Sequence, residues 1–238
     1  MMVWYKFFIC MRRNTLCVCF ITLLLVSLAG CKESTRAKDE KEFEGVITYK
    51  ILYRGKDYSS VYGDTMKIYY SKGNIARVYN SQGADAIRKE LFYGESRRYL
   101  IQLAASDTVL IYDMADRGNF KVAATKRSSE DTKILGHICK KMEFDEVYHR
   151  GGNIKVHIGY LYSPGVLKVN KRHFKDWNFG DFNTYINEAG VFYLKCETSV
   201  GQDTKSNTMT YMAADIQEKK IDSTIFHVDT TITKPLVL

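Results

Sequence analysis

Ile154-Lys155-Val156-His157-Ile158-Gly159-Tyr160-Leu161-Tyr162, preceded by the turn residues His149-Arg150-Gly151-Gly152-Asn153, is the stretch that decides the fold. Ile154, Val156, Ile158, Tyr160 and Tyr162 alternate with Lys155, His157, Gly159 and Leu161. A period of two sets the first group on one face of a β-strand and the second on the other. Residues 138–148, upstream of the turn, read as a second strand. The glycines and asparagine between the two accept the positive φ that a tight reversal needs. The unit is an antiparallel hairpin with one apolar face.

The same alternation and turn chemistry recur along the chain. Phe43, Gly45, Ile47, Tyr49, Ile51 and Tyr53 alternate with Glu44, Val46, Thr48, Lys50 and Leu52. Ser71-Lys72-Gly73-Asn74 separates residues 66–70 from 75–79, and Gly201-Gln202-Asp203 begins a reversal between 191–200 and 208–214. Residues 98–103, 108–114 and 120–125 are further strands. Helices are expected only near 84–90 and within 171–187. Pro164 and Pro235 are the two prolines, and no glycine- or proline-rich linker or internal repeat divides the chain, so residues 43–238 read as one domain. Roughly nine to eleven strands in one sheet must curl, because strand twist accumulates. The predicted fold is mainly β: a single strongly curved antiparallel sheet, a half-barrel, with a few short helices and an N-terminal signal helix ahead of it.

A curled sheet has a concave apolar face that something must fill. Residues 173–185 carry Phe174, Trp177, Phe179, Phe182 and Tyr185. Two readings stand: Phe174, Trp177 and Phe179 form a lid over a ligand cavity, or the segment is a crossover that completes the core.

The N-terminus fixes an address. Lys6, Arg12 and Arg13 precede the apolar run Cys17-Val18-Cys19-Phe20-Ile21-Thr22-Leu23-Leu24-Leu25-Val26, which ends in Ser27-Leu28-Ala29-Gly30-Cys31. A cationic flank, an apolar core of this length and small residues before a cysteine make residues 1–30 a lipoprotein signal peptide, with Cys31 the residue that carries the lipid. A spanning helix would need about 20 apolar residues. Each buried methylene contributes about 0.8 kcal/mol, so two or three acyl chains on Cys31 hold the chain at a membrane. Residues 31–42 then form a lipid-anchored charged tether with almost nothing to bury. Removing residues 1–30 takes away three basic residues and no acid, so the formal charge falls from +8 to +5 and six cysteines become three. That bias is one of ordinary solubility, and no basic run with interleaved aromatics points to nucleic acid.

Three motifs carry a resemblance. Phe43-Glu44-Gly45-x-Ile47-x-Tyr49, Thr132-Lys133-Ile134-Leu135-Gly136-x-x-Cys139-Lys140-Lys141 and Ile221-Asp222-Ser223-x-Ile225-Phe226 stand in that order. The chain thereby resembles uncharacterised envelope lipoproteins of Bacteroidota-type bacteria with a periplasmic lipoprotein-carrier-like (LolA-like) domain. The resemblance spans most of residues 43–228. It implies a curved antiparallel half-barrel around an apolar cavity covered by short helices, in an anchored acceptor or sensor rather than a soluble shuttle. It also implies the outer membrane, since Lys32 stands where inner-membrane retention is associated with aspartate. It supplies no catalytic residues.

Cys139 and Cys196 are the thiols left once Cys31 is lipidated, in an oxidising compartment. They pair as a disulfide, contributing about 4 kcal/mol in the chain-entropy model, or they pack separately; both readings stand. His137, His149, His157, His173 and His227 are scattered, and no third spaced ligand accompanies His149 and His157, so neither a metal nor a cofactor is expected. The absence of a nucleophile elbow, an H-E-x-x-H or a phosphate loop argues against an enzyme. The expected function is a membrane-anchored envelope lipoprotein that binds a hydrophobic ligand, a lipid or acyl chain, in the concave face of the sheet. The alternative is a non-catalytic structural or interaction subunit of an envelope complex, with a self-filled core and a protein partner. An open apolar pocket on the order of several hundred Å³ separates the two.

Overall fold

The computed structural model describes residues 41–83, 85–105, 109–114, 120–148, 153–177, 180–201, 207–228 and 233–235. The predicted signal peptide, Cys31 and Phe179 lie outside the described residues.

Two-residue reversals build the sheet. Lys72 and Gly73 both have positive φ, 48° and 81°, as do Leu135 and Gly136, 50° and 83°. Two consecutive positive values are those of the tight hairpin turn whose twist matches the flanking strands. Gly73 is required twice over, since a Cβ there would lie 2.4 Å from the His173 ring.

The strands so joined are β1 (Gly45–Arg54), β2 (Thr65–Ser71), β3 (Asn74–Tyr79), β4 (Ile87–Tyr93), β5 (Arg98–Leu103), β6 (Val109–Asp113), β7 (Phe120–Ile134), β8 (His137–Tyr148), β9 (Ile154–Tyr162), β10 (Lys195–Val200), β11 (Thr208–Glu218) and β12 (Thr233–Pro235). They form one 12-stranded sheet in the order β12-β6-β5-β4-β3-β2-β1-β11-β10-β9-β8-β7. Pairing is antiparallel except where β12 runs parallel to β6. Two meanders, β1–β6 and β7–β11, therefore share the β1–β11 junction, and the sheet is not closed. Helices are few and short: α1 (Ser59–Tyr62), α2 (Gly180–Ala189) and two 3₁₀ turns, Lys171–Phe174 and Ser223–Phe226.

Alternation decides what each face buries. Ile47, Tyr49 and Ile51 of β1 point into the main core while Leu52 is exposed. Met66, Phe92, Phe144 and Tyr160 join them from other strands, and Phe174, Trp177, Phe182 and Tyr185 of the crossover pack down on the same face. The opposite face of β1–β6 buries a second cluster, Val46, Ala76, Leu91, Leu100 and Val109, beneath Ile221 and Phe226 of the C-terminal segment. The opposite face of β8–β10 is instead polar. It carries the ion pairs Lys141–Glu143 at 2.8 Å and Lys195–Glu197 at 3.0 Å, and a hydrogen-bonded contact between His157 Nδ1 and Asp145 Oδ1 at 2.7 Å.

Three expectations need correction. The helix expected near 84–90 is absent, and Ile87–Tyr93 is instead a strand paired with β3 and β5. Ala86, Arg88, Lys89 and Glu90 favour helix intrinsically, but that preference is weak beside two ladders of hydrogen bonds and burial on both faces. The strand read over 191–200 begins only at Lys195, Val191 making a single bridge to Lys168. Strand β7 extends to Ile134 rather than stopping at 125.

Candidate functional site

The residues singled out in the sequence are largely core. Phe174 is fully buried and Trp177 is 2% exposed. Their rings meet edge to face at 4.8 Å, and Trp177 stacks on Phe92 of β4 at 5.8 Å. The indole Nε1 has no hydrogen-bond partner among the described residues. A lid at a solvent mouth would present that N–H to water, so these two rings belong to the crossover that completes the core.

The disulfide reading fails on strand register. Cys139 and Cys196 are both buried free thiols. Cys196 stands opposite Tyr160 of β9, which stands opposite Met142 of β8, three residues along from Cys139. Two strand spacings and three residues put the pair roughly 14 Å apart, beyond the ~7 Å Cα separation a disulfide tolerates. Burial, with the Asp181 charge adding to it, pushes the Cys196 thiol up to about 12. Burial also raises Cys139. Both are packed, unreactive side chains.

A different part of the face that carries the main core stays open. Side chains of β8, β9, β10 and β11 line a groove of about 410 Å³. Register arranges them in rows: Glu146, Val156 and Val200 stand abreast, and Phe144, Ile158, Thr198 and Met209 form the next row inward. Ile154 at 37% and Val200 at 41% exposure form the rim, and Ile158 at 7% is near the floor. Tyr62 of α1 borders the far end, where a second hollow of about 380 Å³ continues between α1 and β10–β11. Among the described residues, those that line the 410 Å³ groove include no lysine, arginine or histidine.

Two carboxyl groups sit at the β8 end. Glu146 follows Met142 and Phe144 at inward positions of β8 and is only 3% exposed. Asp181 lies in the first turn of α2. The Tyr160 hydroxyl donates to Asp181 Oδ2. Glu146 Oε1 has no partner among the described residues. Burial, reinforced by the Asp181 charge, raises Glu146 to about 8. Burial also raises Asp181, to about 6, against the pull of its hydrogen bonds. Two acids this close titrate as a pair, and the pair keeps a proton near neutrality. An un-ionised carboxyl both donates and accepts, so the groove ends in an adaptable polar contact.

Neither acid stood out in the sequence. The available signal was parity, because Met142, Phe144 and Glu146 alternate along one strand and an acid at the third inward position is out of place.

No protein-family model matches the sequence, and no curated protein matches it. Among solved structures, the chain is similar to an uncharacterized conserved protein from Thermus thermophilus, at 6% identity and a TM-score of 0.43, over 81% of this chain and 91% of that one.

Proposed function

We propose that this chain is a lipid-anchored envelope lipoprotein, held through Cys31 at the bacterial outer membrane, that takes a hydrophobic ligand such as a lipid or acyl chain into the groove of a curved, LolA-like half-barrel. The observation that carries the reading is the open groove of about 410 Å³ with Ile154, Val156, Ile158, Val200 and Met209 along it. That volume lies within the roughly 300–1,000 Å³ of small-molecule sites, which combine apolar walls with a few convergent polar groups. The unpartnered Glu146 adds to it. A buried acid without its full complement of hydrogen bonds costs stability, and such costs concentrate at functional sites.

Curvature is supported by reach. Asp181 of α2 accepts from Tyr160 on β9, while the neighbouring Phe182 lies 5.7 Å from the Arg77 guanidinium on β3. These strands are five places apart in the sheet, roughly 24 Å if it were flat. The self-filled interaction subunit draws support from the aromatic crossover, which fills the rest of the concave face. Native mass spectrometry of protein extracted gently from its membrane separates the readings. The expected species begins at acylated Cys31 and carries a hydrophobic molecule that is lost from Thr198→Trp, a variant that fills the groove. An unacylated chain beginning at Met1 contradicts the anchor. Wild type without any adduct contradicts the binder.

A further inference from the structure

We propose, on the premise that the groove is a ligand site, that its ligand is a single-chain amphiphile with a protonated amine head, the ammonium seated against Glu146 and Asp181 and the chain lying across β9 and β10 towards Met209 and Tyr62. Donors and acceptors at the acid end do not match. The Tyr160 hydroxyl already donates to Asp181. Glu146, which lines the groove, keeps one buried carboxyl oxygen, Oε1, without a partner among the described residues. An ammonium supplies three donors and no acceptor, which fits that deficit.

Charge points the same way. A carboxylate or phosphate head would be brought against two acids in a poorly solvated groove whose lining, among the described residues, carries no basic side chain. An ammonium beside a singly protonated acid pair leaves the site neutral, which is the condition for burying charge without a large desolvation cost. The groups facing the pair from neighbouring elements do not change this. Tyr160 of β9 and Cys196 of β10 are neutral, their ionisation opposed by burial. Arg77 of β3 acts on Asp181 through its charge, in the sense that lowers it, but its Nη1 faces Glu90 at 3.5 Å and its guanidinium lies over the Phe92 ring at 4.8 Å. Thr198, the polar neighbour in the groove, carries a hydroxyl that both donates and accepts. From β8 to β11 the groove crosses three strand spacings, roughly 14 Å. The continuing hollow beside α1 extends it for a longer chain.

The test uses the full chain in phospholipid nanodiscs, titrated calorimetrically with octylamine, octanol and octanoate, with the heats of empty nanodiscs subtracted. Octylamine is expected to bind at least about tenfold more tightly than octanoate, because like charges brought together at a buried contact are strongly disfavoured. Glu146→Gln keeps the shape and removes the charge, and it should erase most of that preference. Thr198→Trp should weaken all three probes. Octanoate binding as tightly as octylamine, with Thr198→Trp blocking both, overturns the amine assignment and leaves the groove as a ligand site. An amine preference that survives Glu146→Gln also overturns it. Saturable binding of none of the three overturns the groove itself.

Discussion

Glu90 and Glu146 both stand on the face of the sheet that carries the main core and both are nearly buried, yet their surroundings differ in kind. Glu90, on β4, accepts from the Tyr79 hydroxyl at 2.7 Å and the Tyr99 hydroxyl at 2.5 Å and faces Arg77 Nη1 at 3.5 Å. It stands in the closed end of the face, where Phe92, Trp177 and Phe174 pack ring on ring. Glu146, on β8, lines the groove with a second acid beside it and has one buried oxygen without a partner among the described residues. A buried acid with its donors supplied is a structural knot. The same residue with a donor withheld, at the head of an apolar groove, has the form of a binding contact.

The sharpest way to break this contrast is to remove the satisfied acid. Glu90→Leu leaves two buried tyrosine hydroxyls and the Arg77 cation without their common acceptor, and removing one partner of a buried charge pair costs about 3–5 kcal/mol. Chemical denaturation measures it, and a loss under about 1 kcal/mol would mean that the cluster is not the knot described. Trp177→Ala probes the closed end by packing alone. Emptying a buried indole site costs about 3 kcal/mol or more, whereas truncating a mobile lid would leave the midpoint nearly unchanged.

The third effect has the opposite sign. The folded protein keeps protons on Glu146 and Asp181 that the unfolded chain has released, since burial raises both above their ordinary values. Their contribution to stability is therefore full below the ordinary carboxylate range and is lost as pH climbs through the raised values. For Glu146 that window runs from its usual 4.5 to about 8. Glu146→Gln should flatten the decline of stability across this window and leave the variant more stable than wild type at its upper end. Parallel pH profiles for the two proteins would place Glu146 in ordinary solvent.

Much of the fold was legible because period two is a strong signal where one face is buried. Strands over 154–162 and 98–103 coincide with β9 and β5, and the alternation through Ile47, Tyr49 and Ile51 marks the inward face of β1. Legibility failed where both faces are covered or neither is. In β4, Glu90 and Phe92 serve the main core while Leu91 serves the second cluster, so no alternation survives. In the outer half of β7, Lys126, Arg127, Ser128 and Ser129 are exposed, and backbone pairing to β8 defines the strand. The site was harder still. The groove exists because Val156, Val200 and Met209 from three strands meet Asp181 of a distant helix, and no local pattern encodes that meeting. The aromatic density of residues 173–185 drew attention to Phe174 and Trp177, and dense rings mark a core more often than a mouth.

Methyl NMR of labelled protein titrated with octanol compares the two ends of this face in one experiment. The account predicts saturable shifts at Ile154, Val156, Ile158, Val200 and Met209, all in the groove, while Ile68 and Ile75 of the closed end stay still. Shifts centred on Ile68 and Ile75, or no saturable shift at any methyl, would contradict it.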